Sequence, residues 1–366
     1  MINNKIKLSL VAAMMTATCG FADSSSVNEA FANGKVSGDI SLFTKSVSKS
    51  GTNKDSQYSM SSIGLNYETD SFNGLTGSLG FRTNHKINEK EDGDFDESAP
   101  KSVLSLANVA YTNGDATVIA GRQEIDLEWI GDFHEAVVGV FNYIPNTSIV
   151  VAHTSRFMAV DDDGELGKME DIGTDGASVI DVKYEGIKDT VINPYYMDAK
   201  DAFSAYGLKV ETKVSNIDVT AHYAASSEDD ATKQDGSIAH LEIATKVSNI
   251  GLSAGYITTD KDGGIGSLDT LGENIAPTKD IDGSVYGEDA DTLYGKISAD
   301  VASVSLSALY TATTHGASND KDSELLIKAG TEVAESLEVN FLLSSASYEN
   351  SNSDTDRVQV MATYSF

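Results

Sequence analysis

Apolar and polar residues alternate with a period of two along most of this chain. In "NIDVTAHYAA", Ile217, Val219, Ala221 and Tyr223 fall on one face, and Asp218, Thr220 and His222 on the other. "SVSLSALYTA" and "NIGLSAGYIT" repeat the pattern, with Tyr310 and Tyr256 again near the end of the apolar face. The pattern predicts eighteen strands, from 35–47 to 354–366, preceded by a short helix in "SSVNEAFANGK". It persists to the last residue: in "RVQVMATYSF" the apolar face is Val358, Val360, Ala362, Tyr364 and Phe366.

The connections alternate as well. Tight ones at 113–114, 144–146, 214–216 and 247–249 lie between long acidic ones such as "MAVDDDGELGKMEDIGTDG". Short turns on one side, long loops on the other and an even strand count predict an all-β fold. It is a transmembrane antiparallel up-and-down β-barrel of about 18 strands, with short periplasmic turns and long extracellular loops. Closing such a sheet removes its unpaired edges, which lipid cannot solvate. Tyrosines at the ends of the apolar face suit an aromatic girdle at the membrane interface. Insertions near 95, 165 and 275 are therefore expected to be reachable from outside the cell, and those at 114, 215 or 248 are not.

The N-terminus supplies the route. Lys5 and Lys7, an apolar stretch from Leu8, and small residues at Gly20 and Ala22 have the layout of a secretory signal peptide. The division expected is a signal peptide at 1–22, a short periplasmic segment at 23–33 and the barrel at 34–366. Cleavage after Ala22 would remove Cys19, the only cysteine, so that no thiol or disulfide remains.

Charge narrows the function. With 56 acidic and 26 basic residues the formal net charge is −30, which excludes a nucleic-acid partner. Enzyme signatures are missing. "DGGIGS" lacks the flanking strand and the helix with Lys of a phosphate loop, and the six histidines show no metal-ligand spacing. No cofactor is expected. Calcium is a weak candidate at Asp161, Asp162, Asp163 and Glu165, because the run lacks the full spacing of a calcium loop. A secreted or surface-displayed acidic calcium-binding β protein, adhesin-like or S-layer-like, is the second reading of the same composition.

"EAFANGKVSGDISLF", "AGRQEIDLEWIGDFHEAVVGVFNY" and the terminal Phe resemble the Opr-type outer-membrane porins of epsilonproteobacteria. Those are relatives of the porin D family and of the Campylobacter-type major outer-membrane porin. The resemblance implies an eighteen-stranded channel, often trimeric, that passes small hydrophilic solutes in the Gram-negative outer membrane, among lipids and lipopolysaccharide. It also implies that the barrel assembly machinery reads Tyr364 and Phe366 in the last strand. In such porins a long loop folds inward, which makes Glu124, Asp126, Glu128 and Asp132 the expected acidic constriction, anchored by Trp129 and Phe133. Acidic groups in a narrow aqueous pore favour cations. Across the pore, inward positions of the alternation assign a basic wall to Lys183, Lys209, Lys296, Lys328 and Arg357, with Arg122 and Arg156 beside the constriction. A base on the lipid face would cost about 2–4 kcal/mol at mid-bilayer.

Overall fold

The computed structural model describes residues 23–51, 53–160, 164–272, 275–316, 318–349 and 353–366. The proposed signal peptide and Asp161, Asp162 and Asp163 lie outside the described residues.

A helix, α1 (Val27–Ala32), precedes the strands. The first quarter of the wall is β1 (Lys35–Lys49), β2 (Ser56–Glu68), β3 (Leu75–Glu89) and β4 (Ser102–Asn113). Then come β5 (Ala116–Glu124), β6 (Phe133–Phe141), β7 (Thr147–Met158) and the two-residue β8 (Glu170–Asp171). The wall continues with β9 (Ala177–Ile187), β10 (Thr190–Ala199), β11 (Phe203–Val214), β12 (Ile217–Glu228), β13 (Gly236–Val247) and β14 (Ile250–Thr259). It ends with β15 (Ala290–Val301), β16 (Val304–His315), β17 (Lys321–Ala334), β18 (Leu337–Tyr348) and β19 (Thr355–Ser365). Each predicted strand is present. The addition is β8, which pairs only with the end of β7, while β7 also pairs directly with β9.

Every neighbouring pair is antiparallel, and β1 pairs with both β2 and β19, so the sheet closes as a barrel of eighteen staves. The seam depends on the last residue. The backbone N–H groups of Gly38 and Phe366 donate to each other's carbonyls at 2.9 and 3.0 Å. The Phe366 ring crosses β1 where Gly38 has no side chain; a Cβ there would stand 2.8 Å from the ring.

The alternation sorts residues between two environments. Outward positions keep large apolar side chains exposed, among them Val109, Val137, Leu241, Ile243 and Leu293 at 50–64%. A continuous apolar exterior of this kind suits lipid and not water. Inward positions hold the buried core and charged groups such as Asp39, Arg82 and Lys209. Short turns join the staves at one end, and in the two-residue ones Gly114, Ser215, Ser248, Ala302 and Ser336 adopt left-handed backbone. Longer segments connect them at the other end, and several of these fold back into the lumen.

Candidate functional site: a lumen narrowed by inward loops

The segment joining β5 to β6 enters the barrel as the constriction reading expects. Ile125, Leu127, Trp129 and Ile130 are buried. A tight turn, with Leu127 and Ile130 exchanging backbone hydrogen bonds at 2.8 and 3.1 Å, puts Trp129 at φ 65°. The Trp129 indole N–H donates to the Tyr195 hydroxyl at 2.8 Å, and that hydroxyl meets His222 Nε2 at 2.7 Å. The phenol reaches this spot because Gly207, its partner on β11, leaves the wall bare; a Cβ there would collide with the ring. The same device recurs at Gly255, across which Tyr294 lies. Tyr294 donates to Glu242 at 2.7 Å and meets His240 Nε2 at 2.7 Å.

A second loop completes the plug. Residues 260–289, between β14 and β15, were expected to extend outward, yet Ile265, Leu268, Leu271, Ile281 and Val285 are buried inside the barrel. Gly131 N–H donates to the Leu271 carbonyl at 3.0 Å, which joins the two loops. Ile275 and Ala276 donate their N–H groups to the Tyr286 hydroxyl at 2.8 and 2.9 Å. Position 275 therefore sits in the plug, packed on Tyr286, and not in an outward extension.

The fastening of this loop to the wall is dense. Glu324, fully buried on β17, accepts the N–H groups of Lys279, Asp280 and Ile281 at 3.0–3.3 Å, and the Ser344 hydroxyl at 3.0 Å. Asp280 in turn accepts Arg357 Nε at 2.9 Å and Nη2 at 2.5 Å. Ser284, in the short helix α2 (Asp282–Val285), donates to Asp322 at 2.7 Å.

A third segment, 164–169, leans on β1–β3. Leu166 is buried there, and Asn84 donates to the Gly164 carbonyl at 3.4 Å. Among the described residues an acid–base pair ties each of the three inward segments to the wall: Glu128–Lys209 at 3.0 Å, Asp280–Arg357 at 2.5 Å and Glu165–Lys45 at 3.5 Å.

These contacts revise the site drawn from sequence. Asp126, Glu128 and Asp132 are on the first inward loop, half-buried and engaged. Glu124 is not on that loop: it is the last residue of β5, exposed, and shares the outward alternation of Val118 and Ala120. Arg122 shares it too and is not part of the pore wall. Its inward neighbours Ile119 and Gln123 are buried, while its guanidinium pairs with Glu135 and donates to the Leu104 carbonyl at 2.6 Å. Arg156 joins the same outward cluster through Glu135 at 3.5 Å and Asp171 at 3.0 Å.

The remaining bases follow the expected inward alternation. Lys209 and Arg357 are consumed by the ion pairs above, and Lys183, Lys296 and Lys328 are exposed at inward positions. Lys183 and Lys296 make no ion pair among the described residues. Of the calcium candidates, Glu165 serves as a partner of Lys45. Sequence reading missed Lys45 and the Asp39–Arg82 pair at 3.0 Å, both at inward positions. It also missed Asp269, in the turn Leu268–Thr270 of the second loop. Desolvation raises the Asp269 carboxyl from its ordinary value, and the nearby Asp282 adds to the effect.

No protein-family model matches the sequence, and no curated protein does. The fold, in contrast, is shared with solved structures. Pseudomonas aeruginosa OpdO superposes with a TM-score of 0.74 at 14% identity, over 93% of this chain and 98% of that one. Acinetobacter baumannii OccAB4 gives 0.73 at 12% identity, over 91% and 98%. Pseudomonas aeruginosa OpdK, solved with vanillate, gives 0.72 at 13% identity, over 91% and 98%. At these identities the likeness is one of fold: this chain has the eighteen-stranded barrel found in those proteins.

Proposed function

We propose that this protein is a porin of a Gram-negative outer membrane, through which small hydrophilic solutes diffuse passively. The observation that carries the reading is the division of the closed barrel into an apolar exterior and a charged lumen narrowed by tethered loops. A soluble calcium-binding adhesin has no use for such an exterior. The residues described above hold polar groups in place around a passage.

In this reading the tight turns face the periplasm and the long connections face outward. Phe366 and Tyr364 are read by the assembly machinery, and lipopolysaccharide surrounds the outer rim, where calcium held by the acidic loops would bridge to it. The relation to epsilonproteobacterial Opr-type porins and a homotrimeric assembly belong to the same proposal. We expect moderate cation preference. The acid surplus of the chain favours it, whereas Lys183 and Lys296 oppose it and Glu128 is largely neutralised by Lys209. Liposome swelling tests the transport claim: vesicles carrying the protein should swell in small sugars and amino acids at rates that fall with solute size. Swelling no faster than in protein-free vesicles would refute it.

A further inference from the structure

The helix α1 is six residues long and follows its own logic. Ser26 caps it by accepting the Glu29 N–H at 3.2 Å, while the Glu29 carboxylate takes the Ser25 N–H at 2.8 Å. These reciprocal bonds let so short a helix form. Ala30 is buried, and its carbonyl accepts the Asp70 N–H at 3.0 Å, which fixes the helix beside the end of β2. Val27 and Phe31, one turn apart and so on one face, remain 52% and 60% exposed.

That exposed face joins the lipid-facing wall. The Phe31 ring stacks on Tyr67 with centroids 6.4 Å apart and planes at 21°, and the Tyr67 hydroxyl donates to the Phe31 carbonyl. Tyr67 ends the outward row Ile63, Leu65, Tyr67 of β2 and pairs in register with Val36 of β1, itself outward and exposed. Across β1 the row continues to Phe366 and Tyr364, whose rings are 6.3 Å apart.

We propose that α1 is an interfacial anchor: Val27 and Phe31 insert into the phospholipid leaflet at the tight-turn end of the barrel and extend the aromatic belt over the seam between β1 and β19. The amphipathic Tyr67 ring suits this depth, Phe31 stacks on it, and the occupant follows from continuity with the apolar wall. The inference rests on the membrane-barrel reading, so the test carries a control for it.

Nitroxide labels are placed singly at Val27→Cys, Phe31→Cys, Glu29→Cys and Leu65→Cys in a Cys19→Ser background. Each protein is confirmed as a heat-modifiable barrel and reconstituted in phosphatidylethanolamine/phosphatidylglycerol vesicles. Oxygen partitions into lipid and a nickel chelate into water, so their collision ratio reports depth. Labels at 27 and 31 should show the oxygen-dominated ratio of the Leu65→Cys control, and the label at 29 a nickel-dominated one. If 31 and 27 match 29 while 65 remains lipid-exposed, the anchor is refuted and the barrel stands. If 65 itself is nickel-accessible, both fall.

Discussion

Glu324→Ala should release the second inward loop and leave the barrel folded. The carboxylate is fully buried and receives three backbone N–H groups and one hydroxyl. Hydrogen bonds to a charged group contribute about 1.5–3 kcal/mol each, but these four share two oxygens and do not add. Leaving a buried donor without its acceptor costs about 1–3 kcal/mol. A tether of about 3 kcal/mol leaves the loop detached in roughly one molecule in a hundred, since about 1.4 kcal/mol is tenfold. Its removal should raise that fraction to a substantial one.

Lys279 provides the readout, because its N–H is in the latch. Trypsin should spare the 279–280 bond in the parent barrel and cut it in Glu324→Ala, with larger and noisier single-channel conductance. Glu324→Gln, which keeps one carbonyl acceptor, should be intermediate. A variant that folds, resists cleavage at Lys279 and conducts like the parent would show that Glu324 does not hold the loop.

Four other outcomes are expected. Lys209→Met frees the Glu128 carboxylate and should strengthen cation preference; Glu128→Gln should weaken it, and the double variant should return toward the parent in zero-current potential. Asp269→Asn with Asp282→Asn should shift selectivity toward anions more than neutralising Glu124 and Asp126 does. Because desolvation by the protein around it raises the Asp269 carboxyl, although the side chain is exposed to the lumen, its charge should be lost on acidification before ordinary carboxylates titrate. Cation preference should therefore begin to fall at higher pH in the parent than in Asp269→Asn, as seen in potentials recorded against pH. Deleting Phe366 should leave export intact and lower the heat-modifiable barrel in outer-membrane fractions.

The wall was legible because a strand with lipid on one side and water on the other must alternate at every step, and each step is visible in the letters. Even the position of Arg122 could have been counted from Val118 and Ala120; the expectation followed the loop instead of the alternation. The second loop was opaque for a physical reason. Ile265, Leu268, Leu271, Ile281 and Val285 have no common period and are interleaved with Gly and Asp, so composition reads as solvated surface. Their burial depends on partners far along the chain, Glu324 and Arg357 above all, and no local pattern encodes such contacts. The one available signal was the number of large apolar residues in a connection otherwise so acidic. Likewise, the pairing of Glu128 with Lys209 could not be separated from a free acid facing a free base without distances.

The central claim is that the lumen conducts through a passage whose charged groups select. Purified, heat-modifiable barrel in a planar bilayer under a salt gradient tests it most directly. Discrete conductance steps with a zero-current potential of moderate cation preference are predicted. A protein that inserts as a folded barrel, as shown by labelling at Leu65→Cys, yet passes no current at any voltage would contradict the account.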